Sequence, residues 1–303
     1  MADLRVNIAG VEFRNPVITA SGCFGFGREY SELYPLSSLG GVSCKGTTLE
    51  PRMGNDSPRI AETPAGMLNS VGLQNPGVDK VIKTELPWLA KQDTRIIVNI
   101  AGRSPEEYVA VAERLNDTAA DMIEMNISCP NVKQGGVAFG TVPEMAAGIT
   151  KAVRAVCKKP LIVKLSPNAA SIADVAAAVE SEGADAVSLI NTLTGMRIDI
   201  HTGRPILHNN TGGLSGPAVL PVAVRMVWEV AGRVSIPVVG MGGISKWEDA
   251  VELMLAGASA VQIGAANFTD PYTPIKVLTG LERYLDERGI DSVKKIVGGV
   301  KPW

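Results

Sequence analysis

One thiol stands between two amides in Asn126-Ile127-Ser128-Cys129-Pro130-Asn131. The segment opens apolar, at Met122, Ile123 and Met125, and turns polar at its end. A buried strand that becomes reactive at its carboxyl end is where parallel α/β folds place their chemistry. Cys129 is therefore the candidate reactive group. The competing reading is a structural thiol, because free cysteine is among the most buried residue types. Asn126 and Asn131 favour a ligand, since buried amides need partners that a bound molecule can supply.

Lys164 is the second candidate. An ammonium inside Ile162-Val163-Lys164-Leu165 costs free energy unless it is paired or meets an anion, and no acid neighbours it in the sequence. The alternative is a stem that snorkels to solvent. Further polar groups close other apolar runs: Ser21-Gly22, Cys44-Lys45-Gly46, Asn99 and Asn191-Thr192. The last two runs end in Gly242-Gly243 and Gly264-Ala265. Glycine permits close backbone approach, and loops after the seventh and eighth strands of a barrel often bind phosphate through backbone N–H groups.

These groups must be positioned by repeating elements. Eight apolar runs occur, at 16–22, 40–48, 95–102, 122–130, 161–167, 186–192, 236–244 and 260–267. They are continuous rather than alternating, as in a parallel sheet covered on both faces. Amphipathic segments separate the later runs. Ser104, Pro105 and Glu107 predict a capped helix start of the capping-box type, and Gly183 closes another helix. Eight strand–helix repeats predict an α/β fold, a (β/α)8 TIM barrel, in one domain over residues 1–303. A doubly wound open sheet is the alternative. Residues 49–80 and 193–217 exceed the minimal repeat and follow strands. They are expected on the carboxyl face of the barrel, either shaping a binding site or forming ordinary surface loops.

The totals narrow the field. The chain is 46% hydrophobic and 20% charged with a net charge of −2, which suits a large-cored globular protein and argues against a nucleic-acid surface. Cys23, Cys44, Cys129 and Cys157 are widely spaced. No CxxC pair exists, so no metal or iron–sulfur site built by this chain alone is expected. The start of the chain carries no apolar run long enough for a signal or membrane anchor. A cytoplasmic protein that uses no membrane is the expectation. A phosphate pocket, two lysines, several amides and one thiol at one barrel mouth suit a flavin mononucleotide (FMN) barrel with a small polar substrate.

CKGTT, NSVGLQNPG, NISCPN, IVKLSPN, INT, GGLSGPA, GMGGI and QIGAAN occur in this order along essentially the whole chain. In these the sequence resembles the soluble dihydroorotate dehydrogenases. It is most similar to the catalytic subunit of the NAD-linked type, with the fumarate-linked type as the alternative. The resemblance implies that Ser21, Lys45, Gly46, Asn99, Asn126, Lys164, Ile190, Gly216, Gly242, Gly243, Gly264 and Ala265 hold FMN. Ala265 stands where many relatives are expected to carry threonine. It implies that Lys45, Asn69, Ser70, Val71, Gly72, Leu73, Asn126, Asn131, Asn191 and Thr192 hold the dihydroorotate ring and carboxylate. Cys129 would be the general base, and the run Gln134–Gly140 could close over the site. The membrane-associated class is expected to carry serine in place of Cys129. The NAD-linked type implies a partner subunit carrying FAD and a [2Fe-2S] cluster around a homodimer core, a heterotetramer in pyrimidine biosynthesis. Rival readings are a dihydropyrimidine dehydrogenase-like barrel, a dihydrouridine synthase, which would want a basic surface, and a non-catalytic phosphate-binding barrel.

Overall fold

The apolar runs become strands because each is too short and too continuous to be an amphipathic helix, and a parallel strand can bury both of its faces. The computed structural model describes residues 2–128 and 136–303. Eight parallel strands close into a barrel in sequence order. They are β1 (Val17–Thr19), β2 (Gly41–Ser43), β3 (Arg95–Ile100) and β4 (Met122–Asn126). β5 (Leu161–Lys164), β6 (Ala186–Leu189), β7 (Val238–Met241) and β8 (Ala260–Ile263) complete it. Val261 opposite Val17 and Ile263 opposite Thr19 close the ring. The (β/α)8 expectation holds for all eight runs, and the open-sheet alternative does not.

The helices follow from their spacing. α1 (Pro105–Leu115) buries Tyr108, Val111, Ala112 and Leu115. α2 (Pro143–Arg154) buries Ala146, Ile149, Thr150 and Val153. α3 (Ile172–Ser181) buries Ile172, Val175, Ala176 and Val179. α4 (Leu220–Ala231) buries Ala223, Met226, Val227 and Val230. Each set falls at i, i+3, i+4 and i+7, the stripe that one helix face turns toward a sheet. α5 (Trp247–Leu255) and α6 (Thr273–Glu287) cover the last strands. Gly183, in the left-handed region at φ 90°, ends α3 as expected.

The reciprocal capping box at Ser104 does not form. Ser104 is the N-cap and Pro105 the first helical residue, but Glu107 instead accepts from the Arg103 backbone N–H at 2.8 Å. The Ser104 hydroxyl bonds Glu106, whose carboxyl is thereby held below its usual range. The stronger start belongs to α5. Asp249 Oδ2 accepts from Ser245 N at 2.8 Å, Ser245 Oγ at 2.9 Å and Lys246 N at 3.0 Å. Asp249 is buried, so Asp249→Ala should cost about 1–3 kcal/mol, the penalty for orphaned buried donors. A urea midpoint lowered with an unchanged m-value is the expected reading.

The two insertions are not independent loops. Ile60–Thr63 and Gly66–Asn69 from the first pair with Leu193–Gly195 and Gly212–Ser215 from the second in one antiparallel four-stranded sheet. Gly213 faces Asn69 and Ser215 faces Met67 across the join. At the other end, Val6–Ile8 and Val11–Phe13 form a hairpin. It seats Phe13 beside Gly41, at the amino end of β2. Among the described residues no helix is long and apolar enough to cross a membrane.

Candidate active site

Strand alternation decides which side chains enter the barrel, because residues i and i+2 share a face. Ser43 and Lys45, Glu124 and Asn126, Ser188 and Ile190, and Gln262 and Gly264 are such pairs. The later member of each pair lines a cavity of about 750 Å³ at the carboxyl ends of the strands, a volume typical of small-molecule sites.

The expected cofactor residues all lie on the wall of this cavity. Ser21, Lys45, Gly46, Asn99, Asn126, Lys164 and Ile190 come from the strand ends, with Gly242, Gly243, Gly264 and Ala265 on the glycine side. Gly216 comes from the second insertion. Of the expected substrate residues, Asn69, Val71, Gly72, Leu73, Asn191 and Thr192 also line it. Ser70 does not. It is fully buried and its N–H donates to the Arg59 carbonyl at 2.8 Å. Its neighbours Asn69 and Val71 face the cavity, so Ser70 points the other way. Cys129 and Asn131 lie outside the described residues, as do Gln134 and Gly135. Gly136–Thr141 is a short helix.

The amides are tied to one another. Asn126 Oδ1 accepts from Ser128 N at 3.2 Å, Ser128 Oγ at 3.0 Å and Asn191 Nδ2 at 3.2 Å. Asn191 Nδ2 also donates to Ser128 Oγ at 2.7 Å, and its Oδ1 accepts from Thr192 N at 2.9 Å. The Tyr108 hydroxyl donates to the Asn126 carbonyl at 2.8 Å. Such a network fixes each amide's orientation.

Where the strand ends meet the cavity the charged side chains are Lys45 and Lys164, whereas Glu62 and Asp270 line it from the first insertion and from beyond β8. Lys164 is buried and its Nζ donates to Ser21 Oγ at 3.4 Å. Burial pushes the Cys23 thiol up, while the Lys164 and Lys45 ammonium groups pull it down, so both cations act on one part of the cavity. That part of the site therefore suits an anionic or electron-rich group of a ligand. The other described thiols are inert by burial. Cys44 is pushed up to about 12 and Cys157 is also raised.

Three participants escape a reading of the sequence alone. Glu124 and Gln262 lie inside the apolar runs of β4 and β8 and are fully buried. Like Lys164, each is a polar group in an apolar run, but neither ends its run. Asn168 accepts from Thr194 N and donates to the Thr192 carbonyl, each at 3.0 Å. It thus braces Thr192 from the loop after β5, and no spacing rule points to it. Among the described residues no cluster of His, Cys, Asp or Glu could hold a metal ion.

The family model described as Dihydroorotate dehydrogenase matches residues 3–285. The chain is 56% identical over 299 residues to a protein of Anoxybacillus flavithermus named dihydroorotate dehydrogenase B (NAD(+)), catalytic subunit, covering 98% of this chain and 96% of that one. A Geobacillus protein of the same name is 55% identical over 299 residues, with the same coverage. A Bacillus pumilus protein of that name is 56% identical over 296 residues, covering 97% of this chain and 96% of its own.

Proposed function

The chain belongs to the dihydroorotate dehydrogenase family, and from that premise we propose that it oxidises dihydroorotate to orotate on a bound FMN. The electrons then pass to NAD⁺ through a partner subunit carrying FAD and a [2Fe-2S] cluster. The observation that carries the reading is convergence. Two lysines, four asparagines, Gln262 and a glycine-rich side, drawn from separate strand ends and both insertions, line one cavity.

The residues present suit FMN. Asn99 Oδ1 and Gln262 Oε1 are buried without a partner among the described residues, and both residues lie on the cavity wall. Unpaired acceptors in such a place want donors from a ligand. Gly242 and Gly243 hold φ values of 123° and 83°, a backbone suited to aiming N–H groups at a phosphate. Lys164 would balance charge at the pyrimidine edge of the flavin ring, and Lys45 charge on the substrate.

When bound, FMN supplies the hydride acceptor. Cys129 takes the proton from C5 of dihydroorotate as general base. Asn69, Asn126, Asn131, Asn191 and Thr192 hold the substrate plane, which supplies orientation. The lysines stabilise developing negative charge from fixed positions, a preorganised electrostatic effect.

The partner follows from what the sequence omits. Its four cysteines are too dispersed for a cluster and it has no convincing dinucleotide fingerprint. The close relatives are named as catalytic subunits, which supports a second polypeptide. An anaerobic visible spectrum before and after adding dihydroorotate tests the proposal. A yellow protein that bleaches, and recovers colour with NAD⁺ only when the partner is present, is the expected result. A colourless protein, or recovery with fumarate alone, would overturn the FMN or the NAD⁺ assignment respectively.

A further inference from the structure

One layer below the cavity, Glu124 occupies the centre of the barrel with no exposed surface. Four side chains from four other strands donate to it. Ser188 Oγ and Gln262 Nε2 each reach Oε1 at 2.8 Å. Asn99 Nδ2 reaches Oε2 at 2.6 Å and Ser43 Oγ reaches it at 3.2 Å. Four donors fill the four lone-pair sites of a carboxylate.

A carboxylate accepts and does not donate, so it can be met only by the NH₂ end of an amide. Asn99 is therefore held with its NH₂ down toward Glu124 and its oxygen turned the other way. That oxygen has no partner among the described residues. It lies 3.0 Å from the place a side chain on Gly46 would begin, and both Gly46 and Asn99 belong to the cavity wall. The barrel thus fixes an acceptor, and not a donor, at this point of the site.

We propose that Glu124 is a positioning residue that sets the hydrogen-bond polarity of the flavin site, holding Asn99 so that its oxygen accepts from the one N–H of the oxidised flavin ring, at N3. The proposal rests on the FMN reading above. Without Glu124 the Asn99 amide can turn over and offer an NH₂ group instead, and the ring loses its matched partner.

The test compares binding of FMN and N3-methyl FMN to the chain with its flavin removed. The unaltered protein should prefer FMN by about tenfold or more, the effect of leaving one buried acceptor unpaired. In Glu124→Met, of similar length but without an acceptor, the preference should fall toward parity while circular dichroism shows a folded barrel. Ser188→Ala removes a donor from the far oxygen of Glu124 and leaves Asn99 in place, so it should keep the preference. Equal binding of both flavins by the unaltered protein overturns the proposal, whether or not Glu124→Met folds. An unchanged preference in Glu124→Met overturns it too, as does an equal loss in Ser188→Ala, which would signify general loosening of the barrel. A parent protein that binds neither flavin would instead overturn the FMN reading itself.

Discussion

Cys129→Ser should lower dihydroorotate oxidation by roughly 10²–10⁴-fold, the range a positioned general base contributes, with FMN still bound. A thiol ordinarily titrates near 8.5, so only a minority is thiolate at neutral pH. The base must be deprotonated to act, and the rate of the parent enzyme should therefore rise with pH through that range. A serine hydroxyl has no titration there, so the variant should lose that rise as well as its rate. The other thiols sharpen the assignment. Cys44 is pushed up to about 12 by burial, and Cys157 is raised for the same reason. Neither supplies the rise. Cys23 lies on the cavity wall, where burial raises its thiol and two lysines lower it. Cys23→Ser separates the two remaining thiols, because the rise should survive it and vanish in Cys129→Ser. Stopped-flow reduction of the flavin by dihydroorotate from pH 6 to 10, read at the flavin absorbance band, makes the measurement. Near-parent rates for Cys129→Ser across that range would remove the thiol from the mechanism.

The contrast between Lys164 and Glu124 shows what the sequence reveals and what it withholds. Both are charged residues inside apolar strands, and both end up buried in the barrel. Lys164 is found from the sequence because it sits at the end of its run, where a barrel opens. Glu124 sits mid-strand, and its meaning depends on four donors from β2, β3, β6 and β8. Only barrel closure brings these together. The strands themselves are legible because parallel pairing demands continuous apolar runs. Helices α1–α4 are legible because one-sided burial imposes a stripe. The sheet joining the two insertions is not. Gly213 and Asn69 pair across a long separation in sequence, and these strands are rich in glycine and carry no clear alternation. The position of Ser70, off the cavity wall between two residues that line it, has the same origin. A motif names a run of neighbours as a group, whereas an extended backbone turns alternate side chains to opposite sides.

Gly243→Ala should empty the site of flavin. Gly243 holds φ 83°, in the left-handed region, and a Cβ there would stand 2.6 Å from both the backbone nitrogen and Cβ of Leu220, at the start of α4. An L-residue in that conformation costs about 1–2 kcal/mol, and overpacking against a rigid helix start adds about 1–3 kcal/mol. The loop can escape both only by moving. It carries Gly242 and Ser245 on the same cavity wall, and its far end is anchored through Ser245 to Asp249. Movement therefore swings the backbone N–H groups of the glycine side away from the phosphate they are proposed to hold. A combined cost of about 2–5 kcal/mol, if it falls on binding, weakens FMN by some thirtyfold to several thousandfold. Flavin content after gel filtration, with a dissociation constant from fluorescence titration, reads the effect. Gly148→Ala is the control. Gly148 lies in α2 with nothing within 4 Å of an added Cβ, so the same substitution should stabilise the fold by about 0.5–1 kcal/mol and leave flavin content unchanged. A Gly243→Ala protein that keeps a full complement of flavin, with affinity within tenfold of the parent, would show that the glycine side does not hold the phosphate.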